Sequence, residues 1–398
     1  MNNEKNLNEK TIQELKKICK FSNNKKDCLV YSFDASEFKG KALGVAWPEN
    51  PEQVKKLLKI CNKYRILITP RGGGTSLTGG SAGFNSIVID LSKMNKIISL
   101  NKEKKVVIVE PGVVLDNLNS LLKKFDLIFP VIPASHKTCE IGGMISTNAA
   151  GERAIKYGKT IDWIKSLEVY LPNGKKIKAK NNKIKDFAGK EGLNGIITKA
   201  ELRLKEKTRT RSLNFLKFEK NEEIIKKIKE IIKNKNISAI EFINPYCAEL
   251  INLEAKNHLI IEYESKEGEI KSKKKIEKIW KIRESCGPVL TQKGWIIMED
   301  PKIPLKKMNN FLNFLEKNKI PCFGHIGIGI LHPRFQLNQK ELVKKMFKKV
   351  KKLGGEISGE HGIGITKKEF LNKKMIENFK KMKKIYDPYN ILNEGKVI

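Results

Sequence analysis

The sequence lacks long hydrophobic runs and is poor in arginine. No segment approaches the roughly eighteen uninterrupted apolar residues that span a bilayer, and the opening MNNEKNLNEK lacks the apolar stretch of a signal peptide. These absences favour a cytoplasmic protein. Only eight of the 79 basic residues are Arg, the residue best suited to bidentate phosphate and base contacts. Nucleic acid is therefore a disfavoured partner despite the formal net charge of +35, whereas the Lys excess leaves peripheral contact with an anionic membrane, at its inner face, open.

Cysteine pairs and the common nucleotide motifs are also absent. The seven cysteines are scattered and form no C-x-x-C, which excludes a zinc ribbon or a ferredoxin-type cluster. Neither G-x-x-x-x-G-K-[ST] nor G-x-G-x-x-G occurs. A ligand site must therefore be sought in other patterns.

The 398 residues, 40% of them hydrophobic, suffice for two or three domains. Asn50-Pro51-Glu52-Gln53 predicts a helix start, with Val54, Leu57, Leu58 and Cys61 on one apolar face. Asn173-Gly174 predicts a hairpin. From about residue 212, short strands alternate with Lys-rich helices, which indicates an α+β domain. This pattern predicts a helix over 270–284, a strand over 322–330 and a helix over 367–385.

A glycine-rich loop, TPRGGGTSLTGG, spans Thr69 to Gly80 after a short apolar strand. Glycines leave successive backbone N–H groups accessible, and such a nest suits a phosphate. A flexible surface loop is the alternative. A second small-residue stretch, IGGMISTNAAG at 141–151, allows close backbone approach to a packed helix or a flat ligand.

Histidines and a carboxylate are concentrated near the C-terminus. His325 and His332 flank two glycines, and an odd separation on a straight strand would place them on opposite faces. Their convergence requires the glycines to bend the backbone. With Glu360 they form a ligand set that suits zinc, manganese or iron, and His361 adjoins it. Polar histidines satisfied within a core are the alternative.

Arg283 is one of the few arginines and offers a bidentate clamp for a substrate carboxylate. The alternative is an exposed helix end beside Glu284.

Together these motifs resemble the FAD-dependent 2-hydroxy-acid dehydrogenases of the vanillyl-alcohol oxidase superfamily, of the glycolate oxidase catalytic subunit and D-lactate dehydrogenase type. The resemblance rests on TPRGGGTSLTGG, IGGMISTNAAGERAIKYGKTIDWIKSLEVYLPNG, GIITKAELRL, GHIGIGILHP and ISGEHGIG, and runs from about Tyr31 to Lys396. It implies an α+β fold: a two-subdomain FAD-binding domain over residues 1–207, a ferredoxin-like antiparallel cap over 208–352, and a segment, 353–398, that returns to the FAD domain.

The resemblance also implies FAD-binding residues in four parts of the chain. They are Arg71, Gly72, Gly73, Gly74, Thr75, Ser76, Leu77, Thr78 and Gly79, then Gly142, Gly143, Ser146, Asn148 and Gly151, then Ile197, and finally Asn393 and Lys396. Thr75 occupies the position at which covalent members carry a flavin-linking histidine. We therefore expect FAD to bind non-covalently.

For the reaction, the resemblance implies His325, His332 and Glu360 as ligands of a divalent metal, His361 as the catalytic base and Arg283 as the substrate clamp. The expected activity is oxidation of a small 2-hydroxy acid, of the D-lactate or glycolate type, to the 2-oxo acid. Electrons are expected to leave to a quinone, a soluble carrier, oxygen or a separate iron–sulfur subunit.

Three departures from the family pattern bear on activity. Ile328 and Ile330 stand where the family has Asp and Asn, Met298 stands where some members have a substrate-binding Lys, and the cap is short. Aliphatic side chains cannot hydrogen-bond a ligating imidazole, and loss of such partners weakens metal binding by about 10–100-fold. A catalytically weak FAD-binding subunit of an electron-transfer complex is therefore the alternative function.

Overall fold

The computed structural model describes residues 7–398 as helices packed on three main β-sheets. The helices are α1 (Glu9–Lys16), α2 (Lys25–Tyr31), α3 (Pro51–Tyr64), α4 (Leu115–Lys123), α5 (Ile141–Thr147), α6 (Ala154–Tyr157), α7 (Asn221–Ile231), α8 (Pro245–Leu250), α9 (Lys273–Gln292), α10 (Met308–Lys317), α11 (Lys340–Lys352) and α12 (Lys373–Tyr386). The strands are β1 (Lys20–Ser22), β2 (Lys41–Trp47), β3 (Ile68–Arg71), β4 (Phe84–Asp90), β5 (Ile97–Asn101), β6 (Val106–Val109), β7 (Leu127–Ile128), β8 (Ile164–Tyr170), β9 (Lys176–Lys180), β10 (Ile196–Arg203), β11 (Lys205–Glu206), β12 (Ser212–Phe218), β13 (Ile237–Ile243), β14 (Asn257–Tyr263), β15 (Ile297–Met298), β16 (Cys322–Gly324) and β17 (His332–Phe335).

The first half of the chain forms two sheets. In the first, ordered β1-β2-β4-β3, strands β2, β4 and β3 run parallel. The second, ordered β5-β6-β10-β8-β9, is antiparallel. This arrangement confirms the predicted α+β class.

Two local predictions in this half are confirmed by the geometry. Helix α3 begins where its cap predicts, because Asn50 Oδ1 accepts a hydrogen bond from Gln53 N at 3.0 Å. The Asn173-Gly174 turn joins β8 to β9, and Gly174 adopts a positive φ of 81°, which glycine tolerates without strain.

The second half builds an antiparallel sheet ordered β12-β14-β13-β16-β17-β15. Helices α7, α10 and α11 bury apolar side chains on one face, and α8 and α9 cover the other. Strands β13 and β14 are buried along their whole length, so a charged residue within them requires a partner. The expected antiparallel cap is thus present.

Some predicted boundaries are wrong. The strand expected over 322–330 ends at Gly324, a 3₁₀ turn follows over Ile326–Ile328, and β17 starts at His332. Helix α9 continues past residue 284 through Pro288 to Gln292, because Cys286 and Leu290 are buried in the core under the cap sheet. The last helix starts later than predicted, at Lys373.

The C-terminal segment returns to the first sheet. Asn393 N donates to Ile68 O at 2.8 Å, and Leu392 bridges Ile68 in parallel. Arg153 and buried Glu262 also join the first half to the cap, with Nε–Oε1 at 2.7 Å. The domain limits remain a prediction, and residues 1–6 of the first domain lie outside the described part. No helix within 7–398 is long and apolar enough to cross a bilayer.

Candidate active site

A cavity of about 710 Å³ lies between the first half of the chain and the cap. Its size is within the range of cofactor and ligand sites. The glycine loop after β3 and helix α5 line one part, while α9, His325, His332 and the Glu360-His361 pair line another. Sequence segments far apart in the chain therefore share one cavity.

The glycine loop presents unpaired donors to this cavity. Among the described residues, no acceptor is bonded to the backbone N–H groups of residues 72–77. Gly74 has φ of 68°, a conformation that favours glycine. Consecutive free N–H groups form an anion-binding nest, so the loop fits the diphosphate of FAD.

Gly143 supplies a second test of the fit. It lines the cavity, and a Cβ built there would meet no atom within 4 Å. A Cβ at neighbouring Gly142, in contrast, would lie 2.7 Å from Pro111 Cβ. Gly142 is thus required for packing, whereas Gly143 keeps the cavity wall open for a ligand.

Gly143→Leu is therefore expected to weaken FAD binding by at least about tenfold, because its side chain would extend from the open wall into the cavity. The FAD-free protein should not be destabilised, since a glycine in a helix interior costs roughly 1 kcal/mol relative to better helix formers. Flavin fluorescence titration and thermal unfolding of the FAD-free protein measure the two effects. Gly142→Ala is the contrasting variant and should lower the unfolding temperature. Unchanged FAD affinity in Gly143→Leu would contradict this role of the open wall.

The structure places most predicted FAD-binding residues at the cavity. Those that line it are Arg71, Gly72, Gly73, Gly74, Thr75, Ser76, Leu77, Gly142, Gly143, Ser146, Gly151, Ile197 and Asn393. Four others do not line it: Thr78, Gly79, Asn148 and Lys396. Lys396 Nζ instead contacts Thr69 Oγ1 and the carbonyls of Gly80 and Ala82, which ties the C-terminus to the loop. Individual contacts with FAD remain predictions.

Three imidazoles converge on one carboxylate in the other part of the cavity. Nε2 of His325, His332 and His361 lies 3.4, 3.2 and 3.5 Å from Glu360 Oε1. The predicted bend of the histidine loop is confirmed, since Gly329 has φ of 79° and follows the 3₁₀ turn. The rings of His325 and His332 are consequently 5.2 Å apart between centroids.

The predicted metal ligands are close enough to share an ion. One donor atom from each of His325, His332 and Glu360 lies within 4.8 Å of the others, and His332 Nδ1 is buried with no hydrogen-bond partner in the described part of the chain. Burial lowers the pKa of His332 to about 4 and so favours the neutral, ligating imidazole. Against the effect of burial, Glu241 and Glu360 raise the pKa of His325 to about 10. Two imidazoles and one carboxylate fit zinc, manganese or iron, and such an ion would replace the proton on His325.

Glu241 supports this cluster from β13. Its Oε1 lies 2.7 Å from His325 Nδ1, and its Oε2 accepts a hydrogen bond from Arg283 Nε at 2.7 Å. Ile328 and Ile330 cannot supply an outer partner for a ligating imidazole, and for His325 a carboxylate from another strand takes that role. Ile330 is instead buried, and a Cβ on Gly359 would lie 2.6 Å from its Cγ1.

Arg283 reaches the site, although not as an unpaired cation. Its Nη2 lies 2.6 Å from Glu241 Oε2, and its guanidinium stands over the Phe323 ring at 4.6 Å. Among the described residues, its Nη1 makes no hydrogen bond. The interpretation as an exposed helix end is wrong, since Arg283 is buried and lines the cavity.

Asp300 holds the loop that carries Glu360 and His361. Asp300 Oδ2 accepts hydrogen bonds from the backbone N–H groups of Gly359, Glu360 and His361 at 3.0, 2.7 and 2.7 Å. Its other oxygen pairs with buried Lys367. Although burial alone would raise the pKa of Asp300, Lys367 and His361 hold it below its usual value. Asp300 is therefore a charged positioning group.

Neither Glu241 nor Asp300 is predicted as a site residue from the sequence. A signal existed for Glu241, because a lone acid in the apolar run ISAIEFI must be paired if the strand is buried. Asp300 follows a short strand beside Glu299, a pattern common on protein surfaces, and had no such signal.

We expect Glu241→Gln to weaken divalent metal binding by about 10–100-fold, as loss of an imidazole's carboxylate partner commonly does. Metal content after dialysis, together with isothermal titration of the metal-free protein, checks this effect. Glu262→Gln is a matched control, since Glu262 is a buried strand acid that pairs with Arg153 and lies outside the ligand set. Equal metal affinity in Glu241→Gln and the unchanged protein would exclude the proposed support.

Comparison with known proteins agrees with this architecture. Residues 42–180 match the FAD binding domain family, and residues 207–397 match the C-terminal domain of FAD linked oxidases. In fold, the chain is similar to alkyldihydroxyacetonephosphate synthase, with a TM-score of 0.74, 18% identity, and coverage of 97% of this chain and 84% of that one.

Curated relatives cover nearly the whole chain. The glycolate oxidase subunit GlcD of Bacillus subtilis is 31% identical over 93% of this chain and 92% of its own length. D-lactate dehydrogenase of Archaeoglobus fulgidus is 30% identical, with 89% and 91% covered. Mitochondrial D-2-hydroxyglutarate dehydrogenase of Arabidopsis thaliana is 28% identical, with 91% and 76% covered. With its FAD-binding domain, its C-terminal domain of the FAD linked oxidases and its cofactor-sized cavity, the chain is an FAD-dependent oxidoreductase and belongs to the FAD-linked oxidase family of the glycolate oxidase subunit and D-lactate dehydrogenase.

Proposed function

We propose that the protein oxidises a small 2-hydroxy acid, of the D-lactate or glycolate type, to the 2-oxo acid, assisted by a divalent metal. The observation that carries this proposal is a single cavity that joins the N–H nest after β3 to the cluster of His325, His332, Glu360 and His361. The names of the curated relatives support the substrate class. Bound non-covalently in the nest, FAD would supply a hydride acceptor.

Oxidation of an alcohol requires removal of the hydroxyl proton, and we assign this role to His361. Its Nε2 faces the ligand cluster, 3.5 Å from Glu360 Oε1, while its Nδ1 lies 3.8 Å from Asp300 Oδ1. Burial lowers the pKa of His361, so the neutral imidazole is available to accept a proton at Nε2. The nearby Asp300 carboxylate would stabilise the imidazolium that forms.

The remaining side chains orient the substrate. His325, His332 and Glu360 would hold a zinc, manganese or iron ion, which would supply Lewis acidity at the substrate hydroxyl. Arg283 would direct Nη1 to the substrate carboxylate while Glu241 fixes the rest of the guanidinium. Trp280, Met298 and Phe323 line the same part of the cavity and restrict water there.

The test is an anaerobic visible spectrum of the FAD-loaded protein during titration with D- and L-2-hydroxy acids. Bleaching of the visible absorbance of the flavin by one enantiomer supports the proposal. A yellow protein that no 2-hydroxy acid bleaches would instead favour the weak electron-transfer subunit, especially if a partner restores activity. Dialysis against a chelator tests the contribution of the metal separately. Activity must fall on dialysis and must return when a divalent cation is added.

The electron acceptor and the place of action belong to the same proposal. Oxygen, a quinone, a soluble carrier and an iron–sulfur subunit are the candidate acceptors, and steady-state rates with each class distinguish them. We place the protein in the cytoplasm, with peripheral contact to anionic lipid supported by its Lys excess. Salt-sensitive co-sedimentation with anionic but not neutral vesicles checks that contact.

A further inference from the structure

Glu140 lies where the two glycine-rich segments meet. It immediately precedes α5 and lines the cavity, and a Cβ on Gly72 would be 3.1 Å from its Oε2. Its carboxyl group therefore stands against the first glycine of the N–H nest. Its side chain is only 6% exposed, so it is a buried acid in the wall of the FAD cavity.

The carboxyl group has no hydrogen-bond partner within residues 7–398. Among the described residues, neither oxygen of Glu140 accepts a hydrogen bond, and Oε2 is fully buried. The side chain does not cap α5, although the residue is in the cap position. Arg71, the cation that acts on Glu140, uses its Nη1 for the carbonyls of Phe33 and Ser81. A buried polar group without a partner is costly, which points to a ligand as the missing partner.

The charges around Glu140 favour its uncharged form. Burial, and then the carboxylate of Asp90 at the end of β4, raise the pKa of Glu140 to about 8, while Arg71 at the end of β3 opposes them. The adjacent Cys139 thiol is neutral, since burial raises its pKa to about 11. An ionised carboxylate beside the nest would repel a diphosphate, whereas a carboxylic acid can donate to it.

We propose that Glu140 binds FAD directly, as an uncharged carboxylic acid that donates a hydrogen bond to a phosphate oxygen held by the N–H nest. This inference concerns the cofactor and does not depend on which substrate the protein oxidises. In this role Glu140 donates a hydrogen bond. An ionised acidic residue that binds a sugar hydroxyl would instead accept one.

If Glu140 must be protonated to bind FAD, the affinity for FAD depends on pH. Only the protonated form binds well, and in the FAD-free protein the pKa of Glu140 is about 8. Affinity should therefore be constant below that pH and fall above it, by about tenfold per pH unit until the pKa of the bound state is reached.

The experiment is titration of the FAD-free protein with FAD, followed by flavin fluorescence, from about pH 6.5 to 9.5. Glu140→Gln keeps a donor and cannot ionise, so it should bind FAD within about threefold of the unchanged protein at pH 7 and lose the fall above pH 8. Glu140→Leu has no donor and should bind about tenfold more weakly at pH 7. Glu110→Gln is the matched control, a buried acid that accepts from Lys96 N and does not line the cavity.

Two results would overturn the proposal. A flat profile for the unchanged protein, with weaker binding by Glu140→Gln at pH 7, would mean that an ionised carboxylate accepts from a hydroxyl. Full affinity in Glu140→Leu would mean that the side chain does not touch FAD. The dependence of FAD affinity on pH in the unchanged protein tests the proposal even if both variants fold poorly. Absence of 2-hydroxy-acid oxidation would not bear on the role of Glu140.

Discussion

Replacing Asp300 with Asn is expected to lower the free energy of unfolding by about 3–5 kcal/mol and to abolish turnover, because the change removes the nearer of the two carboxylates beside a buried cation. Lys367 is buried and pairs with Asp300 Oδ1. The same carboxylate accepts three consecutive backbone N–H groups, at Gly359, Glu360 and His361. The amide of Asn carries no negative charge for Lys367. Its NH₂ group would also face hydrogen-bond donors, where the carboxylate has acceptors.

Neighbouring Glu299 offers a matched control for this prediction. Its Oε2 also lies near Lys367, at 3.2 Å, but burial raises its pKa to about 7, so its charge is only partly present at neutral pH. Glu299→Gln should therefore cost about 1 kcal/mol. Urea unfolding of both variants, with FAD content measured alongside, gives the comparison. Equal losses in the two variants would show that Asp300 has no special part in holding the loop.

His361→Gln should reduce kcat by about 10²–10⁴-fold while FAD stays bound, since the loss is that of a positioned general base. Gln has no group that accepts the hydroxyl proton, yet it can still fill the space beside Glu360. Single-turnover reduction of the flavin under anaerobic conditions measures the affected step directly, apart from reoxidation. His258→Gln, in β14 and outside the cavity lining, is the control histidine.

If kcat of His361→Gln fell by less than about tenfold, the general base would be another group and not His361. The effect must also appear with FAD fully bound, because a variant that loses FAD reports on binding alone. Retained metal content excludes damage to the ligands at His325 and His332.

The features that the sequence alone could predict depend on residues that are close together in the chain. Asn50, Pro51 and Gln53 act within one helical turn, so the start of α3 follows from the residues themselves. The convergence of His325 and His332 was predictable for the same reason, since the glycines that bend the backbone lie between them.

The support of the site depends instead on contacts between distant residues. Glu241 meets His325 because β13 pairs with β16, with Phe242 opposite Gly324. A shift of one residue in that register would turn Glu241 to the other face of the sheet. Asp300 and Glu140 likewise gain their roles from segments that the local sequence does not specify. The partners of Glu241 and Asp300 could be assigned only from the positions of the strands.

The return of the C-terminal segment to β3 bears on how the protein is made. A chain synthesised from its N-terminus exposes the edge of β3 and the glycine loop long before Leu392, Asn393 and Lys396 emerge to cover them. Glu360 and His361 also emerge after the other cavity residues, so neither half of the cavity is complete until they and Asn393 have been synthesised. Such long-range closure is slow relative to local folding. Nascent chains should therefore acquire protease resistance and FAD together, after Leu392 and Asn393 have paired with β3.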